Sequence, residues 1–206
     1  MKKNKQKENV MRTLMIVVAV VVVLGSSVMA EQDELRIFAI SGKSIEGNLG
    51  FATVNFLLRN AQGDNIWSFN GLRYRFGQGG FIDAFVGLTF PEGGDGTYAL
   101  SPRLQLPLGR FYVWQDFEWY PETKDWYVGT VLSWRTDPAA RPGQGLELGI
   151  EFEQFAPGSM EEVIRHGGPL IACGLSDSFS MSLAWHEKAE RYGGDFFRLT
   201  LTTLFF

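Results

Sequence analysis

Cysteine is nearly absent from this sequence: Cys173 stands alone among 206 residues. A single thiol cannot close an internal disulfide, so the fold has to be held by its hydrogen-bond ladder and side-chain packing. Beyond residue 30 there is no run of about 18 or more apolar residues, which excludes a transmembrane helix in that part of the chain. Helical periodicity is almost missing there too. Basic charge is also scarce. Of 19 Lys and Arg and 23 Asp and Glu, five basic and one acidic residue lie in the first thirty, which leaves 14 against 22 and a net charge of −8. That balance excludes nucleic acid as a partner, because neutralising phosphates takes a basic face.

What is present begins with an export pattern. Lys2, Lys3, Lys5, Lys7 and Arg12 form a basic stretch, Leu14 to Leu24 an apolar one, and Ser26-Ser27-Val28-Met29-Ala30 a small-residue site. This order predicts a signal peptide over 1–30, cleaved after Ala30. The alternative is an uncleaved N-terminal anchor, but the apolar stretch is short against the ~20 residues of a full span. No cysteine follows it to carry a lipid.

The remainder, one domain's worth of chain, is rich in period-2 alternation. Leu146-Glu147-Leu148-Gly149-Ile150-Glu151-Phe152-Glu153 sets apolar residues on one face and glutamates on the other. A helix could not bury that apolar set without burying the acids as well. Phe179 to His186 and Ile82 to Phe90 repeat the pattern. Between turn signals, the strands fall at about 49–59, 66–76, 81–90, 97–107, 110–120, 125–135, 145–155, 169–175, 178–186 and 196–206. Most approach the ~9–11 residues with which a tilted strand crosses a bilayer. The connections are rich in Gly, Pro, Asn and Asp, as at Gly77-Gln78-Gly79-Gly80 and Pro91 to Gly96. The fold class expected is all-β: an antiparallel up-and-down barrel over 49–206 with about ten strands, eight or twelve being the alternatives. An even count would put both ends of the wall on one side. Residues 31–48 are left as an N-terminal leader or plug, or an extra strand. Pro102, in mid-strand, removes a ladder donor and suggests a bulge.

Alternation alone does not say which face is inside. Two features favour apolar side chains outward, into lipid. Phe90, Tyr98, Trp119, Tyr120, Trp126, Trp185 and Phe197 fall near one set of strand ends, and Phe76, Phe81, Phe111, Trp134, Phe179 and Phe205 near the other. Aliphatic residues lie between them. Rings prefer the two membrane interfaces and aliphatics the hydrocarbon. The second feature is the end of the chain, Phe196-Phe197-Arg198-Leu199-Thr200-Leu201-Thr202-Thr203-Leu204-Phe205-Phe206, strand-like and closed by an aromatic. With the export segment and the alternating strands, this ending resembles the bacterial outer-membrane β-barrel proteins. The resemblance implies residence in the outer membrane of a Gram-negative cell and contact with its lipid. It also implies insertion by a barrel-assembly machinery that reads Phe205 or Phe206 as the terminal aromatic.

With that orientation the lumen receives Asn55, Arg73, Arg75, Asp83, Arg103, Gln105, Asp116, Glu118, Arg135, Glu147, Glu151, Glu153, His186 and Arg198. One outcome is a narrow porin-like channel for small polar or charged solutes. The other is a lumen sealed by acid–arginine pairs, in a structural or adhesive barrel acting through its outer loops. A third class, a lipid-modifying enzyme, would need a nucleophile beside His186. Ser182 is four residues away on the same strand, roughly 13 Å, and Lys188 stands where outer-membrane lipid A deacylases place their serine. No enzyme is therefore expected, and no cofactor or metal. His166 reads as part of a polar 156–168 loop, and Cys173 as a small apolar wall residue. The glycine-rich turns join strand to strand and offer no helix N-terminus to a phosphate.

Overall fold

The computed structural model describes residues 33–60, 63–77, 79–137, 145–158, 163–176, 178–189 and 194–205. Among them, eleven strands close into one barrel: β1 (Glu34–Glu46), β2 (Leu49–Asn60), β3 (Gly63–Phe76), β4 (Gly80–Pro91), β5 (Thr97–Leu108), β6 (Phe111–Tyr120), β7 (Asp125–Arg135), β8 (Leu146–Ala156), β9 (Ile164–Ser176), β10 (Phe179–Ala189) and β11 (Gly194–Phe205). Each strand pairs antiparallel with the next. The seam between β1 and β11 is parallel, running from Glu34 opposite Arg198 to Ser41 opposite Phe205.

The ten expected strands are all present with shifted ends, and the eleventh lies in the segment set down as leader or plug. Residues 34–46 are wall, so the barrel begins there and not at 49. An odd count makes the seam parallel and changes the geometry of the ends. β1 starts beside the start of β11 and finishes beside its finish. The two ends of the wall therefore lie at opposite ends of the barrel, not on one side. Bacterial barrels of one chain have even counts, and this chain departs from them. β9 also begins at Ile164, so His166 belongs to a strand and not to a loop.

Pro102 makes no bulge. The β5–β6 ladder stops after Leu100 opposite Trp119 and resumes in the same register at Arg103 opposite Asp116, while Pro102 stays paired with Ala84 across β4. The missing N–H interrupts one ladder without displacing it. Pro169 does the same between Ala184–Leu170 and Glu187–Gly167 of the β9–β10 ladder.

The alternation sorts chemistry in reverse of a soluble protein. Large apolar side chains stand exposed on the outside of every strand, among them Phe51, Leu72, Val86, Leu88, Leu100, Phe117, Leu148, Ile150, Ile171, Leu183 and Phe197. Trp119 pairs with Trp126 across β6–β7 near one end, and Phe111 with Trp134 near the other. Four rings expected in the outer girdles lie elsewhere, Phe76 among them in the lining of the interior cavity. Tyr120 hydrogen-bonds an inward carboxylate, Phe81 sits under Arg73, and Phe179 is buried. Asn55, expected in the lumen, is exposed outside opposite Ser68, beside a 2.8 Å hydrogen bond from Thr53 to Asn70.

Inside, an apolar cluster of Ala52, Val54, Phe69, Phe85 and Ala99 fills the β2–β5 sector, with Phe38, Phe56, Trp67 and Tyr120 packed against it. Phe56 stacks on Trp67 with centroids 4.5 Å apart and on Phe38 at 4.9 Å. Gly87 makes room for this cluster: a Cβ there would come within 2.2 Å of the Phe69 ring.

Candidate functional site

The inward faces of β8, β11 and β1 carry the most concentrated chemistry in the barrel. Period-2 spacing puts Glu147, Glu151 and Glu153 on one side of β8. On β11 the same rule turns Arg198 inward, and on β1 it turns Glu34 and Arg36 inward. The Arg198 guanidinium reaches three carboxylates: Glu34 Oε1 at 2.5 Å, Glu151 Oε1 at 2.9 Å and Glu153 Oε2 at 2.7 Å. Arg36 adds Glu34 Oε1 at 2.6 Å and Glu153 Oε1 at 2.7 Å. Because β8 is three strands from β11 in the ring and four from β1, these pairs cross the interior instead of running along the wall.

Two histidines and a tyrosine complete the network. Tyr127 donates to Glu153 Oε1 at 2.5 Å. His166 Nε2 is 3.4 Å from Glu153 and His186 Nε2 is 3.5 Å from Glu151, while the two Nδ1 atoms are 2.9 Å apart. The His186 ring lies flat on Phe196 at 4.8 Å. His186 is fully buried. Its neighbours are an acid, a second imidazole and a phenyl ring.

A second network sits across the barrel. Arg103 Nε meets Asp116 Oδ1 at 2.9 Å, and its Nη2 stands 3.5 Å from Glu118 Oε1. Ser101 also donates to Asp116, at 3.0 Å. Tyr120 donates to Glu118 at 2.5 Å and itself accepts from Trp67 Nε1 at 3.2 Å, a contact from β6 to β3. The Arg103 guanidinium lies 4.6 Å over Phe69, which joins this network to the apolar cluster. A charge in such surroundings is tolerated only when paired and hydrogen-bonded, and each of these ionic side chains is.

No known family model and no curated protein matches the chain. Its site therefore has to be read from its own geometry.

The two networks and the aromatic stack occupy the half of the barrel nearer the connections at 92–96 and 121–124. The other half holds a cavity of about 1210 Å³. Its lining runs from turn residues Gly77, Gly79 and Gly109 inward to Arg36, Phe38 and Glu151. Arg73, held to Asp83 at 2.7 and 2.6 Å, lines it. So do Arg75, Arg103, Arg135 and Glu147. Arg135 donates to the Gly109 carbonyl, and Glu147 accepts from Ser133 at 2.8 Å.

The structure thus divides the anticipated lumen residues. Glu151, Glu153, His186 and Arg198 meet in one cluster. Arg103, Asp116 and Glu118 meet in a second. Arg73 with Asp83, Arg75, and Arg135 with Glu147 belong to the cavity. Sequence reasoning missed Glu34, Arg36, Tyr127 and His166. The signal for the first two was the alternation of charge with Leu35 and Ile37. For His166 it was two-residue spacing from Leu170 through Gly168. Phe205 ends β11 opposite Ser41, and Phe206 lies outside the described residues.

Proposed function

We propose that this chain is an outer-membrane β-barrel whose lumen is closed on its long-hairpin side, a structural barrel with a blind inner chamber and no open pore. The apolar exterior supports the membrane part. A monomeric soluble protein rarely exposes an apolar patch beyond a few hundred Å², whereas here every strand contributes. A closed barrel also satisfies the wall's backbone groups internally, as hydrocarbon requires. The end where β11 finishes, which holds the tight β1–β2, β3–β4 and β5–β6 turns together with the longer 136–145 connection, is assigned to the periplasm and the opposite end to the outside. Cleavage after Ala30, insertion through the C-terminal strand and the absence of catalysis are parts of this reading.

One observation carries the closed lumen: the Arg198 guanidinium binds carboxylates from β1 and β8 across the interior, with no exposed side-chain surface of its own. Planar-bilayer recordings on the purified full chain test it. The wild type is expected to insert without unitary current steps, and reproducible steps would overturn the closed reading. A second reading, passage of small polar solutes with the network as gate, is favoured by the cavity that reaches Arg36 and Glu151. Such steps would establish it.

A further inference from the structure

The chamber on the short-turn side is chemically divided. Arginines face it from neighbouring parts of the wall: Arg73 and Arg75 on β3, Arg103 on β5, Arg135 on β7. The opposite wall, β9 to β11, is uncharged and mixes the apolar Leu170, Ala172, Met181 and Leu204 with hydroxyls such as Ser182 and Thr200. Five arginines line the chamber, Arg36 included, against three acids, Asp83, Glu147 and Glu151. Each acid is already engaged: Asp83 by Arg73, Glu151 by Arg198, Glu147 by Ser133.

Cationic capacity remains. Arg75, half-buried near the mouth, makes no ion pair among the described residues. Deeper in, the Arg103 side chain is only 4% exposed, yet its Nη2 has no hydrogen bond, the nearest acid oxygen being Glu118 Oε1 at 3.5 Å. That nitrogen faces Glu118 with almost no accessible surface, so the donors open to a solute are those of Arg75, for which an anion is the natural partner. At about 1210 Å³ the space is far larger than a bare ion needs and reaches the size of cavities that enclose small organic molecules, roughly 300–1,000 Å³.

We propose that the chamber binds a small organic anion bearing an apolar group, an aryl or short acyl phosphate or carboxylate that enters past the short turns. Its head lies on the arginine wall, at Arg75 by the mouth, and its apolar part lies against Leu170 and Leu204. The inference rests on the chamber alone. Its failure would leave the closed-lumen reading intact, and current steps in bilayers would leave it intact in turn.

Phenyl phosphate titrated calorimetrically into the full-length barrel in zwitterionic detergent provides the test. Inorganic phosphate and benzyl alcohol serve as half-ligands. Saturable binding is expected, at least about tenfold tighter for phenyl phosphate than for either half-ligand. Arg75→Gln, which breaks no ion pair and so leaves the fold in place, should weaken it about tenfold. Arg110→Gln removes a charge at the same barrel end but outside the chamber and should not change it. Absent saturation, equal binding of a half-ligand, an unaltered affinity in Arg75→Gln, or an equal loss in Arg110→Gln would each overturn the proposal.

Discussion

Arg198 is the side chain on which the interior most depends. It holds three carboxylates, two of them with almost no surface open to water, Glu34 at 3% and Glu153 at 2% exposure of the side chain. Arg198→Met keeps bulk and removes charge, so the acids would be left facing one another around Arg36 alone. Breaking a buried ionic arrangement by deleting one partner costs about 3–5 kcal/mol, and that loss is expected in urea unfolding from lipid vesicles. Arg59 and Asp64 form an equally well-shaped pair, at 2.8 and 2.6 Å, but on side chains 47% and 37% exposed. Solvent screens such a pair, and Asp64→Asn should cost less than about 1 kcal/mol. Equal small losses for the two variants would mean that the network is wet and the lumen open around it.

At the level of strands, β1 decides the architecture. It supplies Glu34 and Arg36 to the ionic crossing and Phe38 to the aromatic stack. Its parallel seam predicts a specific cross-link. In a Cys173→Ser background, Ala39→Cys with Thr203→Cys places two thiols at paired positions across β1–β11. Oxidation should join them and shift the denatured chain on a gel. Ile37→Cys with Thr203→Cys, two residues out of register, should not. A barrel of ten strands without β1 in the wall would reverse or abolish that contrast. The same strand shows where sequence reading ran out. The other ten strands were legible from their alternation and the turn signals between them, most clearly where one face is apolar and the other charged, as from Leu146 to Glu153. On β1 the inward Phe38 and Ile40 belong to an apolar filling, so Ile37 to Ile40 reads as a plain apolar run with no inner face. On β9, Gly167-Gly168-Pro169 reads as a turn, which hid the strand continuing to Ile164 and left His166 among loop residues. The acids of β8 and Arg198 were legible from local alternation. Their partners on β1 and β9 were not, because pairing across a lumen leaves no local pattern.

For the molecule as a whole, the question is whether its exterior meets lipid, and a charge placed by depth answers it. Val86 lies at the middle of β4, 57% exposed, between Asn70 and Leu100 on the neighbouring strands. Leu108 is as exposed, at 54%, but ends β5 beside the turn at Gly109. In water the two substitutions Val86→Arg and Leu108→Arg would be equivalent surface changes, each within about 0.5 kcal/mol of neutral. In a bilayer, the midplane arginine is expected to cost about 2–4 kcal/mol and the one near the interface about 0–1 kcal/mol. Urea titration of the folded barrel in phospholipid vesicles reads the difference. A gap of at least about 1 kcal/mol with Val86→Arg the weaker follows if a hydrocarbon slab surrounds the wall. Indistinguishable midpoints would instead mean that the apolar coat is covered by protein, and the barrel would have to be reassigned as a subunit of a larger soluble assembly.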